Sequence, residues 1–175
     1  FMQAFIAAKL SVKEIDSSML AMGRAALIGS SEPSFALAGY NNDIANILVF
    51  NNGILGMARA FSFSQSPTIS VQIQKPGSNE LDHQAVADIL FGEIKSSLGY
   101  YKMQNNETID KIYIMGLGSK TIEAADKLNQ STGLSFKISQ PFNDLEQSVP
   151  QRLNRTFKAN DYIVSISLAM RGLGE

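Results

Sequence analysis

Apolar and polar positions along this chain repeat with two periods, and the switch between them marks out the elements. Phe1, Phe5, Ile6 and Leu10 have helical spacing, so Phe1 to Lys9 reads as the end of a helix. Val12 to Ile15 is a short strand candidate, and Asp16 or Ser17 can cap a helix running through Leu27. Gly29 to Pro33 is a loop. Three strands are predicted next, over Ser34 to Leu37, Ile44 to Phe50 and Ile54 to Phe63. Asn51-Asn52-Gly53 joins the last two, and asparagine-glycine is a strong two-residue hairpin signal. Thr68 to Gln74 alternates like a further strand and is closed by Pro76-Gly77-Ser78-Asn79.

The period then lengthens. From Leu81 to Met103 the chain predicts its longest helix, with Val86, Ile89, Leu90, Ile94, Leu98 and Tyr101 on one face. Lys111 to Met115 is β-branched and aromatic, as a buried strand should be. Gly116-Leu117-Gly118-Ser119 turns the chain into a helix over Thr121 to Leu128. A short strand is predicted at Ser135 to Ile138, and Gln140 to Thr156 reads as a loop with two prolines. A final helix, with Asn160 as its candidate cap, carries Ile163, Ile166, Leu168 and Met170. The order is a β-meander, a long helix, a β-α-β unit and a closing helix. That predicts an α/β fold, one mixed β-sheet with packed helices.

Composition narrows the function classes. At 175 residues, 45% hydrophobic and 18% charged, the chain is a folded domain long enough for one well-buried core. A net charge of -1 gives no electrostatic reason to expect nucleic acid or anionic lipid as the main partner. The absence of cysteine excludes disulfides and thiolate metal sites. No apolar run approaches the roughly 18 residues of a membrane span. The helical pattern is already under way at Phe1, which predicts a single domain over residues 1–175 that is a fragment of a longer protein.

Candidate chemistry is sparse. A glycine turn feeding a helix, as at Gly116 to Ser119, lets backbone approach a ligand and aims N–H groups at an anion; an ordinary tight strand-to-helix turn uses the same residues. His83 stands with Glu80 and Asp82 near a helix start, where a solvated polar cap explains it better than a metal site or a catalytic base. No nucleophile elbow accompanies the many serines. Met19, Met22, Met57, Met103, Met115 and Met170 have the spacing of core filler. Phe61 and Phe63 share a strand face, which fits either a core or an exposed edge.

Three segments together resemble the second half of the actin-like PilM family of type IV pilus assembly proteins, with the type II secretion protein GspL as the related alternative. Ile47-Leu48-Val49-Phe50-Asn51-Asn52-Gly53-Ile54-Leu55-Gly56-Met57-Ala58-Arg59 looks like that family's meander. Arg59 then corresponds to a family arginine; an exposed strand arginine is the even alternative. Glu93-Ile94-Lys95-Ser96-Ser97-Leu98-Gly99-Tyr100-Tyr101 with Ile112-Tyr113-Ile114-Met115-Gly116-Leu117-Gly118-Ser119 is similar to the family's helix, strand and adenosine turn. Ser167-Leu168-Ala169-Met170-Arg171-Gly172-Leu173 looks like its ending, and Val12 to Ala26 fits the element leading into the meander.

The resemblance implies a ribonuclease H/actin-like half, and the departures from it are informative. The family's aspartate-x-glycine at the end of the first meander strand corresponds here to Ala38-Gly39-Tyr40 or Gly39-Tyr40-Asn41, neither with a carboxylate. Asp43 lies too near the next strand to substitute. Leu117 replaces the middle glycine of the family's turn, and the stretch after Phe63 is too short for the second helical subdomain. Gly39, Gly116, Gly118 and Ser119 are therefore expected to be a vestigial cofactor site, with no catalytic residue, no metal and no resident cofactor. The implied role is a non-catalytic scaffold, cytoplasmic and at the inner-membrane face. Its partners would be pilus or secretion platform proteins and the assembly ATPase, with a homo-oligomer left open. The alternative is an ATP-binding switch or weak ATPase completed by another chain.

Overall fold

β-branched and aromatic segments pair here into one sheet. The computed structural model describes residues 2–12, 15–41, 44–62, 83–115, 134–148 and 157–173. Among the described residues the strands are β1 (Phe35–Asn41), β2 (Ile44–Asn51), β3 (Ile54–Ser62), β4 (Lys111–Met115) and β5 (Ser135–Ile138). Their order is β3-β2-β1-β4-β5. The pairs β1–β2 and β2–β3 are antiparallel, as the meander predicts, and β1–β4 and β4–β5 are parallel. The β2–β3 hairpin turns on Asn52 and Gly53, at φ 51° and 76°, as its asparagine-glycine pair predicts. Three residues after Gly53 the ladder slips: Phe50 opposes Leu55 but Val49 opposes Met57, leaving Gly56 as a bulge. The bulge has a packing reason. A Cβ on Gly56 would lie 3.0 Å from the Tyr101 hydroxyl.

Helices cover both faces. The long helix α3 (His83–Asn105) lies on one, burying Val86, Leu90, Ile94 and Tyr101 against Ala36, Ala38, Ile47, Val49, Ile112 and Ile114. This is the predicted face of that helix, with Ile89 and Leu98 partly buried beside it. The other face carries α2 (Ser18–Gly29), whose Met22, Ala25 and Ala26 pack on Phe35, Leu37, Leu48, Phe50, Tyr113 and Met115. The last helix, α5 (Ile163–Leu173), contributes Ile163 there. Phe61 packs against the α3-side core, which settles its reading as core.

Several elements differ from expectation. β1 runs to Asn41 rather than stopping at Leu37, because Ala38 and Gly39 are held by ladders on both sides. Val12 and Ile15 are not in a strand, and Ile15 is exposed. The short helix α1 (Met2–Ala7) falls where the spacing predicts one, but it is exposed throughout. The stretch expected to be a loop contains α4 (Asn143–Ser148), a turn too short for a periodic signal. Asn160 does not cap the final helix. It lies inside a 3₁₀ turn, Ala159–Tyr162, that follows Lys158 and leads into Ile163. Met22 and Met115 are buried, but Met103 is 84% and Met170 42% exposed, so neither of these two is core filler. Phe63, Thr68 to Gln74 and Gly116 to Leu128 lie outside the described residues.

Candidate functional site

The parallel register places Gly39 of β1 beside Met115 of β4, so the carboxyl ends of two parallel strands lie side by side. Open α/β sheets bind ligands at such ends. Of the predicted site residues only Gly39 is described; Gly116, Gly118 and Ser119 lie outside. Gly39 is buried, and its α2-side face is occupied by the chain itself. A Cβ there would stand 1.7 Å from Met22 Cε and 3.2 Å from its Sδ. The cross-strand neighbour Asn46 is also buried and donates its Nδ2 to Met22 Sδ at 4.0 Å, a weak acceptor. The need for glycine at 39 is thus met by a thioether lying on bare backbone.

No acid or nucleophile is described at this strand end. Among the described residues no group of three histidine or acidic side chains could hold a metal ion. Arg59 projects from β3 towards α3, with Nη2 2.9 Å from Glu93 Oε2 and Nη1 donating to Ser97 Oγ at 3.2 Å. Glu93 Oε2 has no partner of good hydrogen-bond geometry, so the contact with Arg59 is an ion pair. Its guanidinium fastens the edge strand to the long helix. A second polar cluster pins the β2–β3 hairpin: Tyr101 Oη donates to Glu107 Oε2 at 3.2 Å, Asn51 Nδ2 donates to the same oxygen, and Ser34 Oγ donates to Asn51 Oδ1 at 3.0 Å. Burial first, and the Glu107 carboxylate second, push the Tyr101 hydroxyl above its usual value.

The strongest electrostatic feature was hidden from the sequence. Asp16 precedes the N-cap Ser17, whose side chain accepts from Leu20 N–H. Its Oδ2 meets both Arg24 and Arg171, the latter at 3.0 Å, and its Oδ1 accepts the Ser17 N–H at 2.8 Å. The Arg24 hydrogen bond lowers the Asp16 pKa from 3.8 to about 2; Ser17 N–H and Arg171 add to this, and burial opposes it. Arg24 lies eight residues from Asp16, and Arg171 is on the last helix, so no local spacing announces the cluster. The folded value is depressed, so the stabilisation is present above the unfolded value near 3.8 and is lost as pH falls towards 2. Both arginines are partly solvated, so its size is about 1–2 kcal/mol. Unfolding free energies of the native chain and Asp16→Asn, taken from urea titrations, should differ by that amount at neutral pH and converge on acidification.

No protein-family model matches the chain, and no curated protein sequence does. Its fold, however, is found among solved structures. It superposes on PilM in a PilM–PilN type IV pilus biogenesis complex with a TM-score of 0.69, covering 99% of this chain at 18% identity. The chain shares its fold with part of that protein. It spans 57% of the length of that protein. AlfA from a Bacillus subtilis plasmid, in its filament structure, matches with TM-score 0.49 and 16% identity, over 86% of this chain and 43% of that one. A Bacteroides thetaiotaomicron protein of actin-like ATPase fold and unknown function matches with TM-score 0.41 and 16% identity, over 73% and 40%. No helix among the described residues is long and apolar enough to cross a membrane.

Proposed function

We propose that this chain is a non-catalytic, actin-like scaffold module of the assembly platform of a type IV pilus or a type II secretion system. In that role it docks a membrane partner, the assembly ATPase or both, at the cytoplasmic face of the inner membrane. The observation that carries the reading is the match along nearly the whole chain to PilM, which was solved in complex with PilN. Two features favour a scaffold over an enzyme. The strand end at Ala38-Gly39-Tyr40 offers no carboxylate for metal or phosphate, and the α2-side face of Gly39 is filled by Met22. Gly39, Gly116, Gly118 and Ser119 are on this reading a relic of a nucleotide site.

The second reading is a nucleotide switch completed by another chain. The side-by-side carboxyl ends of β1 and β4 favour it, because that is where a sheet of this kind would seat a ligand. Isothermal titration of the chain with ATP and magnesium separates the two. A flat titration is expected, whereas saturable binding in the micromolar range would replace the scaffold with the switch.

A further inference from the structure

The last helix is joined to the body at three points of different strength, spaced four residues apart along one edge. Ile163 is buried in the same apolar cluster as Ala25 of α2. Ser167 is buried, and its Oγ donates to the Ala21 carbonyl at 2.7 Å. Arg171 reaches Asp16, just ahead of the α2 N-cap, at 3.0 Å. Residues i, i+4 and i+8 share a helix face. As 163, 167 and 171 climb α5, their partners descend α2, so the two helices run antiparallel.

The hold weakens along the helix. Its first end follows the 3₁₀ turn Ala159–Tyr162, in which Ala159 is fully buried. Leu168, Ala169, Met170 and Gly172 at the other end are exposed, and Arg171 itself is 41% exposed. The outermost point is therefore an ion pair between a partly solvated guanidinium and a largely covered carboxylate, open to screening by salt from the arginine side. The innermost is apolar and is not screened.

We propose that α5 is a strap that opens from its C-terminal end, with the Arg171–Asp16 contact as the latch that holds it shut. Opening is a local event confined to the last turn or two of α5. If it proceeds past Ser167 it bares Ala21 and Ala25 of α2, which are fully buried when the strap is closed. Asp16 also pairs with Arg24, so the latch shares its anion with the helix it closes against.

Amide hydrogen exchange followed peptide by peptide tests this. In Arg171→Gln, exchange over residues 168–173 should rise roughly fivefold to tenfold, while amides of 21–26 and of β1 and β4 change less than about twofold. Ser167→Ala should extend the accelerated region back towards Ile163. The native chain taken to about 1 M salt, where the screening length is near 3 Å, should reproduce the Arg171→Gln pattern without any substitution. Acceleration of α5, α2 and the strands together by one factor would overturn the proposal, because α5 would then open only with the whole domain. So would unchanged exchange over 168–173 in both the variant and high salt.

Discussion

Replacing Phe35 with alanine is expected to destabilise the chain by roughly 3–5 kcal/mol, the usual cost of removing a fully buried aromatic ring. Phe35 opens the central strand β1 and has no exposed surface. Its ring stacks on Phe50 at 5.0 Å between centroids and meets Tyr113 edge-on at 5.1 Å. These two belong to the strands on either side of β1, so one side chain joins three strands on the α2 face. Ring pairs of this geometry add about 0.5–1.5 kcal/mol beyond the area they bury. Domains of this kind hold only about 5–15 kcal/mol in total, so the variant should lose a large share of its margin. Urea unfolding followed by circular dichroism measures the loss. A shift below about 1 kcal/mol would mean that the α2-side cluster repacks freely, against the close packing of protein interiors.

The second large effect belongs to the pair Met22 and Gly39, and its value lies in a change of sign. Met22→Ala should cost roughly 2–5 kcal/mol by leaving a cavity under α2. Gly39→Ala alone should cost about 1 kcal/mol, because the new methyl falls where Met22 Cε already is and the flexible end of that thioether must swing aside within a buried layer. In the Met22→Ala background the same Gly39→Ala change should become neutral, or stabilising by about 0.4–1 kcal/mol. Gly39 does not have positive φ, so alanine is compatible with its backbone and restricts the unfolded chain. The double-mutant cycle reads the coupling directly. Equal costs of Gly39→Ala in both backgrounds would show that something other than Met22 demands glycine there.

Much of this architecture is legible in the sequence where a long segment keeps one period. The α3 face from Val86 to Tyr101 and the β2–β3 hairpin on Asn52-Gly53 both follow from spacing and turn chemistry. Short or nonlocal features are not legible in that way. Helix α4 spans a turn and a half, too little for periodicity to show. The extension of β1 through Gly39 depends on ladders from two other strands, which override the poor strand preference of glycine. Met103 stands two residues past Tyr101, about 200° round the helix, and so on the side away from the core residues, where it is exposed. At the candidate site the structure makes Gly39 a place of close approach. What approaches it is set by the docking of α2, which no pattern around residue 39 encodes. The Asp16–Arg171 contact is hidden for the same reason.

The extra residue at Gly56 decides which way half of β3 points. With the turn fixed at Asn52-Gly53, an unbroken ladder would set Ala58 against Ile47 and send Arg59 to the α2 side of the sheet. Because the count slips by one, Arg59 opposes Ile47 instead and faces α3, within reach of Glu93 and Ser97. One glycine thus acts as a phase shifter: seven positions out along the strand from Asn52, it determines whether a cation clasps the long helix or is stranded over the opposite layer.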